Sequence, residues 1–116
     1  MIDGAKAERI AADYLQKKHY KLLDFNYRTR FGEIDLILEK RNFLIFAEVK
    51  KRNSDTIAAP REFVDDAKQA KLVLAAQEYL QRYPTNLQPR FDVVEIICQN
   101  DTVKSLKHLE NAFDIR

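Results

Sequence analysis

Gly32-Glu33-Ile34-Asp35-Leu36-Ile37, taken with Phe46-Ala47-Glu48-Val49-Lys50, decides how the rest of this chain is read. Leu36, Ile37 and Leu38 follow Asp35, and Phe43 to Ala47 lead into Glu48. Apolar runs of this length are what strands covered on both faces look like. Acids and lysines seldom enter such strands unless something pairs with them, so Asp35, Glu48 and Lys50 call for a reason. If Arg41-Asn42 forms a two-residue hairpin turn, Lys40 faces Phe43 and the register brings Asp35 opposite Glu48. Glu33 then faces Lys50, which shares a sheet face with Glu48. Two directly opposed carboxylates repel, and a divalent cation between them resolves the conflict. A lysine beside such a cation can orient or deprotonate a water, or neutralise a phosphate.

Working outward, Ala5 to Lys18 has the apolar spacing of an amphipathic helix with Asp3 as its N-cap. Glu8 lies within the apolar stripe. It is either a marginal residue paired with a basic neighbour or a third carboxylate carried over the sheet. Tyr20 to Arg28 reads as a first strand, with Leu22, Leu23, Phe25 and Tyr27 available for burial. Glu33 to Lys40 and Phe43 to Lys51 form the central hairpin, and Asn53 to Pro60 reads as a loop. Arg61 to Tyr83 reads as a long helix between Pro60 and Pro84. Lys68 sits on its apolar side, either snorkelling over the core edge or reaching for a phosphate. Arg90 to Cys98 is another doubly covered strand, in which Asp92 is expected to pair with Arg90 or cap a strand end. Thr102 to Leu106 fits a short edge strand, and Leu109 to Phe113 a terminal helical turn. Three strands with short links make an antiparallel meander, and the strand after the long helix joins in parallel through a crossover. The expected fold is therefore α/β, a mixed sheet of four to five strands flanked by helices in the order α-β-β-β-α-β.

The 116 residues suffice for one domain spanning 1–116, and 46% hydrophobic residues supply an ordinary core. No apolar run approaches the roughly 20 residues of a membrane helix, and the N-terminus has no signal pattern. A single cysteine, Cys98, excludes an internal disulfide and a cysteine-based zinc cluster. The two histidines, His19 and His108, have no ligand spacing. Cytoplasm is the expected compartment and no membrane partner is expected. The net charge of +2 points only weakly to nucleic acid. Its distribution says more: Arg28 and Arg30 precede the acidic strand while Lys50, Lys51 and Arg52 follow the second, so positive charge brackets the carboxylates.

These motifs resemble the PD-(D/E)xK nuclease superfamily, in which a strand with Asp is followed by Glu-x-Lys on the next. The nearer likeness is to the YraN family of small bacterial proteins. Its pattern is matched here by Gly32-Glu33-Ile34-Asp35-Leu36-Ile37, by Phe46-Ala47-Glu48-Val49-Lys50-Lys51-Arg52, by Lys68 and by Arg90-Phe91-Asp92-Val93-Val94. Glu8 and Asn26-Tyr27-Arg28 also correspond. Ala7 and His19 stand where the family usually has Gly, and Ile34 where the superfamily's name asks for Pro. The resemblance implies a restriction-endonuclease-like fold close to Holliday junction resolvases. It makes Asp35, Glu48 and the Val49 carbonyl ligands of Mg²⁺ or Mn²⁺, Lys50 the catalytic lysine and Glu8 its helper. Arg28, Arg30, Lys51, Arg52 and Lys68 would then contact nucleic acid. The expected activity is metal-dependent endonucleolytic hydrolysis of DNA, on branched or single-stranded substrates. The alternative is a non-catalytic nucleic-acid-binding module on the same fold. Junction-type substrates predict a homodimer, and a protein partner that switches the activity on is compatible with the same reading.

Overall fold

The chain runs α1 (Gly4–Lys17), β1 (Lys21–Thr29), β2 (Gly32–Lys40), β3 (Phe43–Asn53), α2 (Asp66–Arg82), β4 (Gln88–Gln99) and β5 (Thr102–Phe113) in a computed structural model that describes residues 1–54 and 65–113. Asp3 starts α1 as expected: its carboxylate accepts the Lys6 N–H at 2.9 Å. Asp65 does the same for α2, accepting the Lys68 N–H at 2.8 Å. Its own backbone is extended (ψ 172°), so α2 begins at Asp66. Arg61 to Val64, and the loop expected over 55–60, lie outside the described residues.

The five strands form one sheet in the order β1-β2-β3-β4-β5. The first three are antiparallel, β3 and β4 run parallel through the α2 crossover, and β5 returns antiparallel. This is the mixed α/β sheet flanked by two helices that the sequence implied, consistent with a restriction-endonuclease-like fold. Ala7, Ala11 and Leu15 recur every fourth residue along α1 and pack on Leu36, Leu38, Ile45, Val94 and Ile96. On the other face Leu72, Ala76 and Tyr79 of α2 pack on Ile34, Ile37, Leu44, Phe46 and Phe91. Covering both faces explains the unbroken apolar runs of β2, β3 and β4.

The hairpin has the expected register at its turn end: Arg41 takes φ +54°, Lys40 faces Phe43, and the rungs continue to Leu36 opposite Ala47. The ladder stops short of the two further pairs expected, Asp35 with Glu48 and Glu33 with Lys50. The β1–β2 turn is closed by Thr29, whose hydroxyl accepts the N–H groups of Phe31 and Gly32 and donates to the Gly32 carbonyl at 2.9 Å. Gly32 has φ +147°, a conformation side chains disfavour.

Two expectations are corrected. Leu23 and Phe25 are 38% and 61% exposed rather than buried, because β1 is an edge strand. Leu109 to Phe113 is not a helical turn but the end of β5. Asn100 and Asp101 both adopt positive φ in a two-residue turn, which launches β5 along the full length of β4. A bulge containing Asn111 (φ +51°) then carries Phe113 onto Phe91, with ring centroids 4.8 Å apart.

Asp92 sits beside this bulge and pairs with Arg90, as expected. The guanidinium donates to both carboxylate oxygens, at 2.9 and 2.8 Å. Asn111 N–H and His108 complete the shell of Asp92, at 3.0 and 2.7 Å. These partners overcome the burial that would otherwise raise it and hold the Asp92 carboxyl below its ordinary range.

Candidate metal centre

The site lies at the end of the sheet where β1 finishes, β2 begins and β3 finishes. It is built by a break in strand alternation. Alternation would put Ile34 and Leu36 on one face. Instead Leu36 packs under α1 and Ile34 under α2. The opposing residues of β1 divide in the same way: Phe25, opposite Leu36, borders α1, while Tyr27, opposite Ile34, packs under α2. Between them lie Asn26 and Asp35, and Asn26 has φ +51°. Short polar Asn tolerates that left-handed geometry, which re-aims the strand at this rung.

The β2–β3 ladder stops at Leu36–Ala47, just before Asp35. Asp35 takes up a freed donor instead, its Oδ2 accepting the Val49 N–H at 2.8 Å. Glu8 comes across from α1 and Glu33 from the start of β2. One carboxylate oxygen from each of Glu8, Glu33 and Asp35 lies within 4.8 Å of the others. The Asn26 amide, oriented with its NH₂ toward the acids, donates to Glu8 Oε1 at 2.6 Å and to Glu33 Oε1 at 2.7 Å. Arg28 approaches Glu33 from the exposed side, at 3.4 Å.

Asp35 bears the electrostatic cost. Burial first, then the neighbouring Glu48 and Glu8 charges, push its carboxyl up to about 8, against the opposing pull of the Val49 N–H. Burial and Glu33 raise Glu8 as well. Three crowded carboxylates, one held largely protonated near neutrality, are a hard-oxygen donor set of the type Mg²⁺ or Mn²⁺ takes. A cation would replace the proton and relieve the repulsion. The residues present therefore fit the metal.

Glu48, next in register to face Asp35, is buried at 5% exposure. Its Oε1 meets Lys68 Nζ at 2.5 Å across the sheet face that carries α2. Burial works against the Lys68 charge, but Glu48 more than offsets it and Lys68 is raised. Lys68 is thus bonded to a site carboxylate rather than lying over bare apolar surface, with nearly half of its side chain exposed. Lys50 is half-buried, two residues beyond Glu48 on the same face. Arg52 pairs within the sheet: its Nε lies 2.6 Å from the buried Glu95 of β4, with little of the side chain exposed. Arg28, Arg30 and Lys51 are exposed around the same end of the sheet.

Of the expected ligands, then, Asp35 is at the centre and Glu48 beside it, held by a lysine. Val49 is placed by its N–H bond to Asp35. Glu8, expected as a helper, stands among the carboxylates. The sequence reading missed Glu33 as a cluster member and Asn26 as the group that ties the acids together. The positional signal was Asn26 itself, a polar residue amid the apolar positions of β1.

The family model "Uncharacterised protein family UPF0102" matches residues 7–96, a span containing every residue of this site. A UPF0102 protein of Caldanaerobacter subterraneus is 42% identical over 95% of this chain and 93% of its own length. One of Thermodesulfovibrio yellowstonii is 44% identical over 95% and 94%. One of Syntrophotalea carbinolica is 42% identical over 97% and 91%. Matched nearly end to end by these relatives, the chain belongs to the UPF0102 family, the YraN-like proteins.

Proposed function

We propose that this protein is a divalent-cation-dependent endonuclease of the PD-(D/E)xK kind, hydrolysing phosphodiester bonds in DNA. The observation that carries this reading is the convergence of Glu8, Glu33 and Asp35 within 4.8 Å beside the Glu48–Lys68 pair and Lys50. Bound Mg²⁺ or Mn²⁺ would supply Lewis acidity toward a phosphate oxygen and acidify a water. Asp35, with Glu8 and Glu33, provides the oxygen donors and the negative charge that hold the cation. The Val49 N–H and the Asn26 amide fix the orientation of those donors. Lys50 places an ammonium on the same face as Glu48, where it can orient the attacking water or meet charge developing on phosphate. Lys68 holds Glu48 in place beside the site. Arg28, Arg30 and Lys51 form an exposed basic border for the backbone of the polyanion.

The test is cleavage of labelled four-way junction, single-stranded and duplex DNA with Mg²⁺, Mn²⁺ or EDTA, comparing the wild type with Asp35→Asn and Glu48→Gln. Cutting should need metal and vanish in both variants while DNA binding persists. Unchanged cutting by either variant removes that residue from the mechanism. Binding by the wild type without cutting on any substrate favours a binding module on the same fold.

A further inference from the structure

A groove adjoins the carboxylates on the α1 side of the sheet. We propose that it seats one unpaired nucleobase of the DNA strand whose phosphate lies at the carboxylates, an inference that rests on the phosphodiesterase reading. Glu8 and Asn26 line both the groove and the carboxylate site, so the two are continuous. The floor is apolar, formed by Ala12, Leu22, Leu36 and Phe25. The volume is about 250 Å³, just under the range of drug-sized sites and suited to one ring system.

The groove exists because of a bulge in β1. Leu22 faces Leu38 and Phe25 faces Leu36, with the register slipping between Leu22 and Asp24. Leu38 and Leu36 both pack under α1, so the slip aims Leu22 and Phe25 at that same face although they are three residues apart. Phe25 extends this apolar surface beyond the helix and is 61% exposed. One exposed phenylalanine on an edge strand means little. A phenylalanine forming the wall of an apolar slot that opens onto a phosphodiester site is a stacking platform, and every base has a face that can use it. Arg9, Asp13 and Gln16 stand along the rim at helical spacing and present donors and acceptors for a base edge. A paired base keeps its faces inside the helical stack and cannot enter. The seat therefore selects DNA that is single-stranded or has an extruded base near the cut.

The experiment measures binding and cutting separately. An Asp35→Asn background permits binding without cleavage. The probes are a fluorescein-labelled single strand carrying one 2-aminopurine, and the same strand annealed to its complement. Phe25→Ala should weaken single-strand binding about tenfold, abolish 2-aminopurine quenching and leave duplex binding unchanged; Phe25→Tyr should restore both. Ala5→Trp, from an exposed position of α1 at the groove, should block the seat without touching β1, which covers the case in which Phe25→Ala fails to fold. Single-strand binding unchanged in Phe25→Ala and Ala5→Trp overturns the seat, as does equal loss on single strand and duplex. If the wild type cuts DNA and Phe25→Ala in the wild-type background cuts equally well, the seat is wrong and the phosphodiesterase reading stands. Phe25-dependent binding by a wild type that cuts nothing upholds the seat and removes the phosphodiesterase reading.

Discussion

Asp35→Asn should make the metal-free protein more stable, and increasingly so as pH rises. In the unfolded chain Asp35 ionises near 3.8, whereas in the folded protein burial and the Glu48 charge hold its proton up to about 8. Below pH 3.8 both states are protonated and folding costs nothing extra. Between these values the unfolded chain has released the proton and the folded one retains it, so stability falls as pH rises and levels off above 8. Retaining the proton costs about 1.4 kcal/mol for every pH unit above the unfolded value, which caps the cost at roughly 4 kcal/mol at pH 7. Asp35 is only partly buried, and water screening brings the expected gain for Asn to about 2 kcal/mol. An asparagine oxygen can still accept the Val49 N–H, so the bond that positions the residue survives. In a domain of this size the gain corresponds to a rise in Tm of roughly 8 °C. The assay is thermal unfolding by circular dichroism in EDTA at pH 5, 7 and 9, repeated with Mn²⁺. The difference between variant and wild type should be small at pH 5 and widen toward pH 9. Mn²⁺ should close the gap by stabilising the wild type alone. A variant no more stable than wild type at pH 9, or a difference independent of pH, would refute the electrostatic account of the site.

The other expectations concern the two ion pairs that frame the sheet. Lys68→Ala leaves the buried Glu48 without its lysine. Because Lys68 is nearly half exposed, the loss should be about 1–2 kcal/mol rather than the larger figure for a fully buried pair, read as a lower urea midpoint. Lys68→Arg should recover most of it. Asp92→Asn should destabilise the protein by about 2–3 kcal/mol, since it leaves the buried Arg90 charge with only the exposed Glu110 carboxylate, at 3.2 Å. The folded-state pKa of Asp92 is lowered, so its stabilisation is complete above 3.8 and is lost as pH falls through the folded value. The variant should show a shallower loss of Tm under acid than the wild type, while metal affinity by titration calorimetry stays unchanged. A weakened metal site would contradict the separation of the two clusters.

The sheet was readable from residues because two signals agreed. The apolar runs around Asp35 and Glu48 marked strands covered on both faces, and Arg41-Asn42 set their register. Asp35 and Glu48 stood out as charges within those runs. The carboxylate cluster was less readable. Strict alternation already puts Glu33, Asp35 and Glu48 on one face, but it does not show that Glu8 crosses from α1 or that the left-handed Asn26 bonds to both Glu8 and Glu33. That conformation costs little for Asn, so pattern alone does not announce it. The Arg52–Glu95 pair was not readable because Glu95 lies on β4 and comes alongside only through the parallel pairing. The end of β5, Leu109 to Phe113, was read as a helical turn because Glu110 and Asn111 interrupt its apolar residues. Its hold on β4 comes from the Asn111 bulge and the Phe113–Phe91 stack.

The parallel pairing of β3 with β4 also bears on how the protein is made. Glu8, Glu33 and Asp35 all belong to α1 and the hairpin strands, which contact one another locally and emerge first from the ribosome. Phe43 meets Gln88 only after α2 has been laid down, and closing that longer loop is the slower event. A nascent chain can therefore gather its acids before Lys68 arrives to neutralise Glu48. In a chain folded only that far, the proton on Asp35 and Arg28 beside Glu33 would be what balances the acids. The order of the chain thus separates the gathering of the acids from the arrival of the ammonium that pairs with Glu48.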